Sequence, residues 1–189
     1  IYGAGPRKID EKYLSGWIDR ENDIREMVHE GIRDSLKCMD VSGKNLIDAE
    51  VAVRFVLKVM KRDIELIHKF GPVTMLGTEL KYDGVEICGH KFKGFIDRLD
   101  FFEDTTVRVV DYKTGSDKPE VLGNPDFDKL FKGDRSVKAA FQFYVYDRFL
   151  RSDSKHEGKM VFNSMYAMSD IFLNPLGVYP EHPEFFDGK

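Results

Sequence analysis

Gly94-Phe95-Ile96-Asp97-Arg98-Leu99-Asp100 (GFIDRLD) and Val109-Val110-Asp111-Tyr112-Lys113-Thr114-Gly115 (VVDYKTG) interleave apolar residues with acids and bases. Both are rich in residues that favour extended chain, and side chains alternate along a strand. On that alternation Phe95, Asp97, Leu99 and Phe101 share one face, and Val107, Val109, Asp111 and Lys113 share another. Asp111 and Lys113 then point the same way, roughly 7 Å apart along the strand. Two carboxylates and an ammonium thus fall on core-like faces of consecutive strands. Burying an unpaired carboxylate is expensive, so the groups either pair with one another or hold a cation between them. A cross-strand Asp–Lys salt bridge with an exposed second Asp is the plain structural alternative.

Working outward, residues 17–38 read as a helix, with Ile24, Val28, Ile32 and Leu36 at i+4 spacing. Ser42-Gly43 breaks it. A longer helix runs from Ile47 to Phe70 on the stripe Val51, Phe55, Val56, Val59, Met60, Ile64 and Ile67, and Gly71-Pro72 stops it. The character then changes to strand: Val73 to Tyr82, a hairpin turn at Asp83-Gly84, Val85 to Cys88, and a second tight turn at Gly89-His90. Lys91 to Phe102 and Thr105 to Lys113 read as two longer strands joined at Glu103-Asp104. Residues 115–135 form a loop rich in Gly, Pro and Asp; Ser136 caps a helix to Leu150, and Lys159 to Met168 is the last strand. The order α, α, β, β, β, β, α, β predicts an α/β (α+β) fold: a mostly antiparallel mixed sheet flanked by helices.

At 189 residues the chain is expected to be a single domain, with residues 1–72 as a helical part and 73–168 as the core. Hydrophobic residues make up 42% and charged residues 33%, the balance of a soluble globular chain. No apolar run approaches the roughly 18 residues of a membrane span, so no membrane partner is expected. The first residues have no signal-peptide character and no initiator Met, and the chain reads as an excised piece of a longer protein. Cys38 and Cys88 form no CxxC pair, which speaks for reduced thiols and a cytoplasmic setting rather than zinc or disulfides. The net charge of −4, with no basic stripe visible, argues against an autonomous high-affinity DNA-binding module.

GFIDRLD, VVDYKTG and the pair Gln142…Tyr146 on the following helix together resemble the PD-(D/E)XK nuclease superfamily, and within it the RecB-type, AddB-like nucleases of helicase–nuclease machines. The resemblance covers Glu79 to Tyr146 and implies a restriction-endonuclease-like core. It also implies an Mg²⁺-dependent DNA exonuclease in recombination and repair, Mn²⁺ serving as well, with DNA and helicase domains as partners. Asp97 and Asp111 would be metal ligands, joined by the backbone carbonyl of Tyr112. Lys113 would hold the attacking water or stabilise charge on the phosphate. Gln142 and Tyr146, one helical turn apart, would contact substrate or orient the ligands. Glu79 stands near a position where related proteins carry a Glu, and an exposed strand residue is an equal reading. RecB-type nucleases also place a metal-binding His on an upstream helix. The candidate, His29 in REMVHEGIRDSL, lacks the expected preceding residues and reads as a surface His; His68 and His90 have no evident partner. The isolated chain is therefore expected to be weak or inactive as a nuclease. Some AddB-like relatives carry a cysteine-held iron–sulfur cluster downstream of the Tyr helix; no cysteine follows Cys88, so none is expected here. The alternatives are a catalytically weak nuclease-like domain for DNA channelling or protein contacts, and a plain α+β interaction domain whose motif residues are salt bridges.

Overall fold

Five strands build the sheet, in the order β1-β2-β3-β4-β5. The computed structural model describes residues 1–3, 5–37, 40–102, 105–115, 126, 128–169 and 171–172. The strands are β1 (Arg7–Ile9), β2 (Val73–Ile87), β3 (His90–Phe102), β4 (Thr106–Lys113) and β5 (Met160–Ala167); the helices are α1 (Glu11–Ile18), α2 (Glu21–Leu36), α3 (Lys44–Phe70), α4 (Asp128–Phe131) and α5 (Lys138–Arg151). The chain divides into two compact units, one spanning Ile9–Pro72 with Ile1 and one comprising Tyr2–Lys8 with Val73–Lys189.

In the helical unit the helix expected over residues 17–38 is α2, Glu21–Leu36, and an unexpected helix, α1, ends just before it. Arg20 leaves helical geometry at φ −105° and ψ 49°. Its guanidinium turns back to donate to the Gly16 carbonyl at 3.0 Å and lies 4.1 Å from the Trp17 ring centroid. A cation at the end of α1 satisfies an orphan carbonyl there and so ends the helix. Asp10 caps the start of α1, accepting from the Tyr13 N–H at 2.8 Å. The long helix begins one turn earlier than the sequence suggests, at Lys44 after Gly43. Arg25 on α2 pairs with Glu50 on α3 at 2.9 Å.

In the sheet unit β2 and β3 form one long antiparallel hairpin. Asp83-Gly84 is not its turn. The ladder slips between Asp83 and Val85, and Gly84, at φ +73°, absorbs the extra residue as a bulge. The turn is Cys88-Gly89, with φ of 50° and 79°, the two positive values that a two-residue type I′ turn requires. Both dipeptides carry a glycine able to take positive φ; the cross-strand register chooses between them. β3 and β4 are antiparallel, β4 and β5 parallel. A parallel neighbour needs a crossover, and α4 and α5 lie in that connection. Asp134, not Ser136, starts the turn into α5, accepting from the Ser136 N–H at 2.8 Å; Ser136 lies inside a single 3₁₀ turn, Arg135–Val137. The three-residue β1 is too short for periodicity to reveal. The Glu103-Asp104 connection, residues 116–125 of the loop, and Cys38 lie outside the described residues.

One face of the sheet packs on α5. Ile96, Leu99, Val107, Val109, Val161 and Met165 meet Ala139, Ala140, Phe143, Tyr146, Phe149 and Leu150 in one buried cluster. The glycine of GFIDRLD has a role in this layer. A Cβ on Gly94 would lie 3.1 Å from the Phe149 ring, and Tyr82, paired with Gly94 across the hairpin, stacks on that same ring at 5.1 Å between centroids. Gly94→Val should therefore push Phe149 off its seat and cost about 1–3 kcal/mol, the usual range for overpacking. Denaturant melts of the variant check this; wild-type stability would show that α5 yields freely at Phe149.

Candidate active site

Strand alternation along β3 reverses between Ile96 and Leu99, and the candidate site lies there. Ile96 and Leu99 both join the cluster against α5 although they are three residues apart. Across the hairpin Thr78 pairs with Arg98 and Leu80 with Ile96, so Glu79 stands opposite Asp97. Glu79 has φ +51°, a left-handed conformation uncommon for a residue with a Cβ. The reversal changes which residues face α5, with the β2–β3 register kept across it. Phe95 is 52% exposed and does not share a buried face with Leu99, as plain alternation predicts.

The β3–β4 ladder stops at Arg98 and Val110, whereas β4 continues beside β5 as far as Lys113 and Ala167. The sheet therefore forks at Asp97. Inside the fork the Asp97 side chain takes over from the ladder: its Oδ2 accepts the Tyr112 N–H at 2.8 Å. Tyr112 thus meets Asp97 through its N–H.

On the α5 side of β4 four polar groups form a closed network. The Lys113 ammonium lies 2.7 Å from Asp111 Oδ2 and donates to Gln142 Oε1 at 2.6 Å. Gln142 Nε2 donates to Asp111 Oδ1 at 3.2 Å and also to the Tyr146 hydroxyl. That hydroxyl in turn donates to Asp111 Oδ1 at 3.4 Å. The i, i+4 spacing on α5 lets Gln142 and Tyr146 reach one carboxylate together.

Asp111 is 1% exposed. Burial raises its pKa above the ordinary carboxylate value, Lys113 pulls it down by hydrogen bond and charge, and the negative charge of Asp97 pushes it up again. Burial, and then the charge of Asp111, also raise the Tyr146 hydroxyl. Two carboxylates that disfavour each other's charge create a demand for positive charge between them, and carboxylate oxygens suit a hard divalent cation. Among the described residues no group of three or more His, Cys, Asp or Glu gathers to hold a metal. The donors that fit are Asp97 and Asp111, and Mg²⁺ ordinarily needs only one or two carboxylates because it keeps several waters.

Asp100, the last residue of GFIDRLD, turns out to be a structural acid. It is fully buried, accepting from Arg98 Nε at 2.9 Å on one oxygen and from Arg108 Nε at 2.9 Å on the other. Arg108 is its direct cross-strand partner. These three alternate with Leu99 and Val109, so they occupy the sheet face away from α5. The pairing of an Asp and an Arg at matching distances from the β3–β4 turn was the available sequence signal.

His29 is half-buried on α2, and its Nε2 has no hydrogen-bond partner among the described residues. His68, which looks partnerless in the sequence, pairs with Glu11 at 2.8 Å, both exposed. His90 opens β3 opposite Ile87.

The sequence matches the PD-(D/E)XK nuclease superfamily over residues 10–172. No curated protein and no solved structure matches the chain.

Asp111 carries a pH signature. A carboxyl whose pKa is higher folded than unfolded binds more protons in the folded state. Its ionisation therefore costs stability as pH rises above the unfolded value, and the cost is absent below it. Asp111→Asn, which keeps an Oδ1 acceptor for Gln142, should melt higher than the wild type at neutral pH in EDTA. The difference should vanish below about pH 3, under the unfolded Asp value of about 3.9. Thermal melts of both proteins across pH check this, and a lower melting temperature for the variant at neutral pH would contradict it.

Proposed function

Because the chain belongs to the PD-(D/E)XK nuclease superfamily, we propose that it hydrolyses the phosphodiester backbone of DNA with Mg²⁺ or Mn²⁺, as a cytoplasmic exonuclease working beside helicase domains in recombination and repair. One observation carries the reading. At a fork in the sheet, Asp97 and a buried Asp111 lie close enough for one charge to disfavour the other, with the Lys113 ammonium on Asp111. Salt bridges alone would not call for a second carboxylate at that point.

Phosphodiester hydrolysis needs neutralised charge on the phosphate and an activated water, and a bound divalent cation supplies both. Asp97 and Asp111 would hold it, with the Tyr112 carbonyl as a further oxygen. Lys113 would position the attacking water or stabilise the phosphate in the transition state. Gln142 donates to Asp111 and accepts from Lys113, so it orients both. Tyr146 keeps its proton, because burial and Asp111 raise its pKa, and so acts as a donor at Asp111 Oδ1. Glu79, opposite Asp97, is a further acid at the fork.

A second reading, a nuclease-like domain of low activity serving DNA channelling or protein contacts, draws on a different observation: the Lys113 ammonium already neutralises Asp111. A cleavage assay on end-labelled DNA separates the two. Under the first reading the full-length protein releases nucleotides with Mg²⁺ or Mn²⁺ and not with Ca²⁺, a poorer Lewis acid of looser geometry. Asp111→Ala and Lys113→Ala should each lower the rate by about 100-fold or more, the scale of losing one charge-stabilising group. Calorimetry should show weaker metal binding for Asp111→Ala and unweakened binding for Lys113→Ala. Cutting at wild-type rate by either variant refutes the assigned roles.

A further inference from the structure

The hairpin end of β2 and β3 has two unlike faces. Tyr82, Val85, Phe92 and Ile96 turn toward α5. Alternation puts Lys91, Lys93 and Phe95 on the far side, and all three are exposed. Phe95 leaves 52% of its surface to solvent in the middle of a long strand. Lys81 is its cross-strand partner, Asp83 stands opposite Lys93, and Glu86 stands opposite Lys91. Lys81 is tied to Asp83 at 3.3 Å. Lys91 and Lys93 have no ion-pair partner among the described residues. Phe95 precedes Asp97 by two residues, roughly 7 Å along the strand. β3 pairs with β4 only from Arg98 onward, so beside His90 to Asp97 its outer edge has no β4 partner. The far face thus runs along an open edge to the fork.

An exposed ring flanked by free ammonium groups suits a ligand that brings both a flat apolar surface and negative charge. Single-stranded nucleic acid is that ligand: every unstacked base has a π-face, and each base is flanked by phosphates. A duplex hides its base faces. A protein partner would need a wider apolar patch than one ring among lysines. We propose that Lys91, Lys93 and Phe95 form a track for single-stranded DNA leading to Asp97, with one base stacked on the Phe95 ring and neighbouring phosphates met by the two lysines. The track rests on the nuclease reading for its destination, and its binding can be measured independently of cleavage. Lys81, Lys91 and Lys93 against Asp83 and Glu86 leave this face one positive charge in excess on a chain of net charge −4.

The test uses the full chain in EDTA, where no metal supports cutting, and a labelled 20-nucleotide oligo(dT) read by anisotropy. Phe95→Ala should weaken binding by about 5- to 150-fold, the range for losing one base–aromatic stack, with folding intact because the ring is exposed. Phe95→Trp should restore affinity. In a Trp17→Phe background its emission should be quenched by oligo(dT) and not by an abasic oligonucleotide of equal length. Lys91→Gln with Lys93→Gln should lower the salt slope of log K by about 1.4, and Phe95→Ala should leave that slope unchanged. Equal affinity of the abasic oligonucleotide, or unchanged affinity in Phe95→Ala, overturns the track and leaves the face to a protein partner. The two readings fail separately. Metal-dependent cleavage with a silent Phe95→Ala sinks only the track. Weakened binding in Phe95→Ala without any cleavage by the full-length wild type sinks only the nuclease reading.

Discussion

One hydrogen bond organises the site: the Tyr112 N–H donating to Asp97 Oδ2. Where two strands part, the next backbone N–H loses its ladder partner, and a buried amide left unmet costs free energy. Asp97 meets that amide with a side chain instead of a carbonyl. The strands can then diverge without an orphaned donor. The substitution also fixes a carboxylate at the point of divergence, near enough to Asp111 to influence it. The kink that makes room for this is concentrated at Glu79, directly across the hairpin, whose left-handed backbone resets the alternation of both strands. Strain of this kind persists only where the surrounding packing determines it, and here the chain is packed on both sides of the reversal, with Leu99 on one side and Ile96 on the other.

The two faces of the β3–β4 pair divide the electrostatic work. Away from α5, Asp100 is held by two arginines, and Arg108 crosses from one strand to the other. A buried ion group of this type contributes less to net stability than its contacts suggest, yet removing one member is costly, so it holds the strand register. Toward α5, Asp111 is buried with incomplete compensation, and its pKa stays raised despite Lys113. In the first arrangement each Asp100 oxygen is met by an arginine. The second retains an electrostatic demand, and such demand is common where chemistry or binding takes place.

α5 couples this site to the core. Its Phe149 lies over Gly94 and Tyr82, and Phe143 makes an edge contact with Tyr146 at 5.9 Å between centroids. The helix that delivers Gln142 and Tyr146 to Asp111 is thus anchored by rings one turn along on either side. A polar network with defined geometry needs such rigid support, because small displacements at hydrogen-bonding distance are expensive.

Much of the architecture was legible from local pattern. The period of apolar residues marked the long helix and the paired strands, and the motif residues Asp111, Lys113, Gln142 and Tyr146 could be placed on β4 and α5 because strand and helix repeats are local properties. Short-range reading misled where a local signal had two solutions. Asp83-Gly84 and Cys88-Gly89 are both competent turns, and only cross-strand register made one a bulge and the other the hairpin. Asp97 and Asp100 are alike in sequence, three residues apart in one motif. The tertiary structure gave one to the Tyr112 amide at a fork and the other to two arginines. That choice depends on where β3 leaves β4, a decision made by neighbours far away in the chain. The face of Phe95 was decided the same way, because the side-chain alternation reverses between Ile96 and Leu99 while the pairing with β2 keeps its register.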